Sequence, residues 1–223
     1  MFNKITRCFN IALLTFTIGV GASNQARADY FVWQDVYTGV SLSFPDTWKV
    51  VSNKSADDVI TVMPESGRAH AACRIRTRDD ARYSIYPVHY SADIQKIAYN
   101  MDFWNNYLHE YTDYEIHNIQ VGAGLGRGYA GYALAEYEGA VQGPYMHRRA
   151  LMFASLYNDR AYILECSSHA DAFGMWKKIF LSIATSMNFE KADHEIYTGH
   201  YRNYLADPRI EFKGDEGENV IVY

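Results

Sequence analysis

Arg74, Arg76 and Arg78 recur at two-residue spacing in ACRIRTR, with Arg82 close behind. On an extended strand that spacing puts the three guanidiniums on one face. Forked N–H donors there match a phosphate, a carboxylate or a lipid headgroup. The competing use is neutralisation by neighbouring Glu side chains, which the acidic balance of the chain favours. Glu136 and Glu138, also two apart, are a carboxylate pair in principle. A simpler use is cross-strand pairing with Arg74, Arg76, Arg149 or His147.

Other constellations are formal. Gly126, Gly128 and Gly131 satisfy GxGxxG, but the following YALAEYEGAV reads as strand, whereas a dinucleotide fingerprint needs a helix there. Glycines that permit a bulge or a close backbone approach explain the pattern better. His109, Glu110 and His117 lack the tight spacing of zinc ligands, and surface histidines are the plainer account. GxSxG and SxxK do not occur. The expectation is therefore no catalytic residue, no metal and no cofactor.

The first 28 residues constrain the rest. Lys4 and Arg7, without an acid, precede an apolar run from Phe9 to Ala22, and Ala26 and Ala28 supply the small residues of a signal-peptidase site. Cleavage is expected after Ala28, with the mature chain in the periplasm. The run is too short, and too interrupted by Asn10, Gly19 and Gly21, for a spanning helix. Cys8 precedes the run, which is the wrong place for a lipid anchor. Removal of Lys4, Arg7 and Arg27 takes the formal charge from −5 to −8, which disfavours nucleic acid. It also leaves two cysteines, Cys73 and Cys166. In an oxidising compartment they read as a disulfide, with two buried free thiols as the alternative.

These residues need elements to hold them. Val40, Leu42 and Phe44 alternate with Ser41 and Ser43, a half-buried strand ending at Pro45. Val59 to Pro64 and Ala71 to Thr77 are further strands, the latter with Cys73 and Ile75 on its buried side. Apolar residues from Ile94 to Tyr111 at three- and four-residue intervals predict one amphipathic helix over Asp93 to Tyr111, capped by Ser91. Ile116 to Val121 is a strand and Gly122 to Gly128 a loop or bulged entry. A meander follows in Tyr129 to Val141, Tyr145 to Tyr157 and Ala161 to Ser167, its short turns requiring antiparallel pairing. Ser168 and Asp171 resemble a capping box for a helix carrying Phe173, Trp176, Phe180, Ile183 and Met187. The 19 tyrosines suit sheet packing, with a tyrosine-lined groove along the meander as a rival use. Residues 191–223 form a charged tail, poorly ordered or strapped over the surface, with a short helix near Tyr201 to Ala206. The whole is an α+β domain over 29–190.

Two stretches in this order, GVSLSFPDTWKVV (Gly39 to Val51) and AYILECSS with AFGMWKKIFLSIATSMNF (Ala161 to Phe189), resemble the PsbP-like family. Its fold is shared by PsbP, the Mog family of Ran-binding proteins and the bacterial envelope protein DcrB. The resemblance implies a three-layer α/β/α sandwich around an antiparallel sheet, and partner binding without catalysis. No position matches a family binding residue. The expected function is thus a non-enzymatic exported domain that binds a protein partner in the cell envelope. The alternative is a binder of a small anionic ligand or lipid headgroup through the arginine face.

Overall fold

A computed structural model of the protein describes residues 29–51, 55–80, 91–126, 128–157, 159–190, 210–213 and 219–222. The expected signal segment, Arg82 and the expected short helix near residues 201–206 lie outside the described residues.

The elements are β1 (Tyr30–Gln34), β2 (Val40–Pro45), β3 (Trp48–Val51), β4 (Asp58–Pro64), β5 (Ala72–Asp79), α1 (Ser91–Ala98), α2 (Met101–Leu108), β6 (Thr112–Leu125), β7 (Gly128–Gly139), β8 (Met146–Tyr157), β9 (Arg160–His169), α3 (Phe173–Ser186) and β10 (Asn188–Phe189). In the tail, β11 (Ile210–Lys213) and β12 (Asn219–Val222) pair as a separate antiparallel ribbon, which the sequence pattern did not suggest. Seven strands form one antiparallel sheet in the order β3-β4-β5-β9-β8-β7-β6. β1, β2 and β10 form a second, smaller sheet.

Side-chain alternation divides the large sheet into two buried faces. Cys73, Ile75, Leu164, Cys166, Leu151, Phe153 and Tyr132 pack with α3 and the small sheet, through Phe180, Ile183, Leu42 and Phe44. Ala133, Ala135, Tyr137, Ala150, Met152, Ala154 and Ile163 pack with α1 and α2, through Tyr99, Trp104 and Leu108. Burial on both faces explains why β8 and β9 read as near-continuous apolar runs rather than alternating ones. The architecture is the expected α+β three-layer sandwich, with the small sheet sharing one outer layer with α3.

Four local expectations are corrected. The single helix over 93–111 is two, because Tyr99 is buried against the sheet and Asn100 caps α2, its side chain accepting from the Phe103 N–H. Ser91 is the first residue of α1 rather than its cap. The glycine-rich loop belongs largely to β6, where register shifts absorb extra residues. His169, not Ser168, caps the turn before α3, its Nδ1 accepting from the Asp171 N–H at 3.3 Å.

Candidate functional site

β5 carries Arg74 and Arg76 on the face toward α2, while Arg78 is exposed near the strand end. Arg74 stands opposite Glu165 of β9 in register. Its Nε and Nη2 donate to Glu165 Oε2 at 3.2 and 2.8 Å. Arg76, opposite Asp58 of β4, donates from Nε to Asp58 Oδ1 at 3.1 Å. Glu110, in the turn after α2, bridges the two guanidiniums through Oε1, at 3.0 Å from Arg74 Nη2 and 2.6 Å from Arg76 Nη1.

Tyrosines complete the cluster. Tyr107 of α2 donates to Glu165 at 2.6 Å; Tyr137 of β7 and Tyr111 also donate to it, and Arg74 Nη2 meets the Tyr111 hydroxyl. Tyr111 stacks on Tyr137 with ring centroids 3.9 Å apart. That position requires the bare backbone of Gly139, since a Cβ there would lie 2.6 Å from Tyr111 Cδ1. Tyr137 reaches Ser167 Oγ at 3.3 Å, and Ser167 Oγ accepts from fully buried Arg148 at 3.1 and 3.0 Å. Arg148 also clamps the His70 carbonyl at 2.8 Å. Three guanidiniums (Arg74, Arg76, Arg148) therefore sit with three carboxylates (Asp58, Glu110, Glu165), and the network is neutral as a whole.

The environment sets the protonation of its central groups, Glu165 and the three tyrosines. Burial alone would raise the Glu165 pKa, but the Arg74 charge and the Tyr107 and Tyr137 hydroxyls outweigh it and bring the pKa down to about 2. Burial, reinforced by the Glu165 charge, pushes the Tyr107, Tyr111 and Tyr137 phenols well above their ordinary value. None of these shifted groups changes protonation near neutral pH, as a general acid or base must. What the cluster does is fasten α2 and its following turn to the sheet. On the opposite face, Cys73 and Cys166, directly paired across β5 and β9, are joined by a disulfide.

The remaining sequence candidates separate by face. Glu136 lies on the α3 side, where His147 Nε2 at 3.0 Å, Arg149 Nε at 3.4 Å and His117 Nε2 at 3.4 Å meet it; Arg74 and Arg76 are on the other side. Glu138 stands opposite His147. His109 ends α2. Among the described residues no group of three or more His, Cys, Asp or Glu is placed to hold a metal. Gly126 and Gly131 serve close packing: a Cβ would meet the Phe189 ring at 2.9 Å at the first and Tyr99 Cβ at 2.7 Å at the second. The segment after them is β7, so the dinucleotide pattern has no helix. Tyr132, Tyr137 and Tyr157 are buried, divided between the two cores.

A surface the sequence did not single out lies at β1. Tyr30, Phe31 and Val32 are half or more exposed, and Val36 and Tyr37 in the following turn are 86% and 90% exposed. The turn is held from all sides. Asp35 Oδ2 accepts from the Thr38 N–H at 2.8 Å and hydroxyl at 2.6 Å, and the Gly39 N–H donates to the Asp35 carbonyl at 2.9 Å. Tyr162 donates to the Thr38 carbonyl at 2.8 Å, and Arg160 to the Tyr37 carbonyl at 3.3 Å. Gly39 takes φ +68°, a conformation that suits glycine. The available sequence signal was the unalternating run Tyr30-Phe31-Val32-Trp33 at the head of the domain.

The protein is thus an α+β sandwich whose polar cluster faces inward and whose apolar display faces outward. No family model and no curated protein matches the chain. Among solved structures it is similar to the cyanobacterial PsbP (CyanoP) of Synechocystis sp. PCC 6803, at 16% identity and TM-score 0.48, over 79% of this chain and 99% of that one. It is similar to LpqN, involved in cell envelope biogenesis of Mycobacterium tuberculosis, at 11% identity and TM-score 0.47, over 73% and 91%. A third is the Saccharomyces cerevisiae Ran-binding protein Mog1p, at 6% identity and TM-score 0.44, over 73% and 96%. The PsbP and Mog groups named from the two sequence signatures are both among these similar structures.

Proposed function

We propose that this is an exported, non-enzymatic domain of the cell envelope that binds a protein partner through β1 and the turn 35–39. The observation that carries the reading is the pairing of exposure with rigidity at Val36 and Tyr37. Two large apolar side chains are bare to solvent on a turn whose backbone is tied to β2 and β9. Fixing such groups before contact reduces the ordering cost of association, and aromatic anchors of this kind dominate interface energies. Periplasmic residence rests on the signal-like first 28 residues and on the disulfide.

The test is a photo-cross-linking residue in place of Tyr37, in cells making the full chain, with the same residue in place of exposed Met175 on α3 as control. A discrete adduct from position 37 and none from position 175 is expected. No adduct at 37 under several growth conditions overturns the reading.

The anionic-ligand reading keeps one support: Arg74 and Arg76 converge on a single carboxylate, Glu110, whose side chain is 40% exposed and belongs to a different element. A ligand carboxylate or phosphate would take that place. Saturable thermal stabilisation by inorganic phosphate or citrate, lost in Arg76→Ala, would favour it.

A further inference from the structure

We propose that the open edge of β1 accepts an extended segment of a different protein as an added strand, and that this segment carries basic residues six positions apart. The inference rests on the binding reading above and specifies the partner's chemistry. Among the described residues β1 pairs only with β2, and none of them occupies its other edge. The Asp35 N–H donates to Val40 O and the Asp46 N–H to Asp29 O. Antiparallel ladders alternate, so Phe31 and Trp33 spend their backbone groups on β2, while Tyr30, Val32 and Gln34 point theirs outward. That gives three donors and three acceptors on a short strand whose side chains are mostly exposed and apolar. Natural edges are commonly blunted by lysine or proline; this one has neither.

Charge decides between occupants. A second copy in full antiparallel register would centre on Val32 and set Asp29 opposite Asp35 of the other chain at both ends, like charges at the closer, non-hydrogen-bonded spacing. Asp46, across from Asp29 on β2, keeps that end net negative even when Asp29 carries the free α-amine. At the other end Asp35 and Asp79 outnumber Arg160. A foreign strand with Lys or Arg opposite residues 29 and 35 reverses both clashes.

The experiment is calorimetric titration of the mature chain with the peptide Lys-Thr-Val-Thr-Val-Thr-Lys and with its Glu-ended counterpart. Saturable binding of the first, at least about ten-fold tighter than the second, is expected. N-methylation of its three threonine amides, which would face β1, should abolish binding while leaving the protein unaltered. Val32→Pro should do the same without unfolding, since proline is tolerated where a strand N–H points to solvent. No binding of the Lys-ended peptide, equal binding of both peptides, binding that survives N-methylation, or a dimer dissolved by Val32→Pro would each overturn the proposal. An adduct at position 37 alongside any of these would leave the binding reading standing and remove only the added strand.

Discussion

Glu165 is a carboxylate in the middle of a sheet with both faces covered, where an unmatched charge costs several kcal/mol. It is matched by Arg74 and by the hydroxyls of Tyr107, Tyr111 and Tyr137. Its pKa is about 2 in the folded state against an ordinary 4.5, so folding favours the ionised form. That contribution is complete above pH about 4.5 and is lost as pH falls toward about 2, and its size is on the order of 3 kcal/mol. Urea midpoints should therefore drop steeply across this window. Glu165→Gln, which removes the buried partner of Arg74 and leaves it only the partly exposed Glu110, should be less stable at neutral pH by about 3 kcal/mol and less pH-sensitive below 4.5. A wild-type midpoint unchanged between pH 5 and 3 would refute this account. The sequence reading set Arg74 against Glu136 and Glu138 instead, although the cysteine pair held the count that finds Glu165. Setting Cys73 opposite Cys166 in antiparallel strands puts Arg74 opposite Glu165 by counting. The tyrosines were not legible, because Tyr111 reaches the site only where Gly139 leaves room for its ring.

At the scale of elements, the break between α1 and α2 shows where a periodic pattern misleads. Ile94, Ile97, Ala98, Met101 and Trp104 keep helical spacing across Tyr99 and Asn100 with no Pro or Gly between them, so the sequence reads as one helix. Tertiary contact overrides that reading: Tyr99 is fully buried and sits directly on Gly131 of β7. Alanine at 131 would place its Cβ 2.7 Å from Tyr99 Cβ and 3.1 Å from the Tyr99 carbonyl oxygen. These atoms lie on or next to the backbone, so the junction after α1 must shift. Gly131→Ala is expected to destabilise by about 1–3 kcal/mol in urea denaturation, as overpacked cores do. A loss below about 0.5 kcal/mol would mean that α1 rides more loosely on the sheet than this contact implies. Strand positions were easier to read than helix ends, because period-two alternation in β2 reflects one-sided burial directly. The caps at Asn100 and His169 depend on where the chain turns in space.

For the whole molecule, the disulfide joins β5 and β9, the two strands through which the β3-β4-β5 half of the large sheet meets the β6-to-β9 half. The strands are already paired by a ladder of eight residues each, so the bond adds little to the folded geometry. Its effect falls on the unfolded chain, where it closes a loop between residues 93 apart in sequence, and the chain-entropy relation assigns that closure about 4.6 kcal/mol. Cys73→Ala combined with Cys166→Ala should therefore keep the far-ultraviolet circular dichroism of the protein while lowering its unfolding free energy by about that amount. Non-reducing mass spectrometry of the wild-type chain should find it two hydrogens lighter than the reduced form. A stability change under about 1 kcal/mol would place the bond's role elsewhere. Recovery of two free thiols from the protein as isolated from cells would remove both the bond and its support for an oxidising compartment.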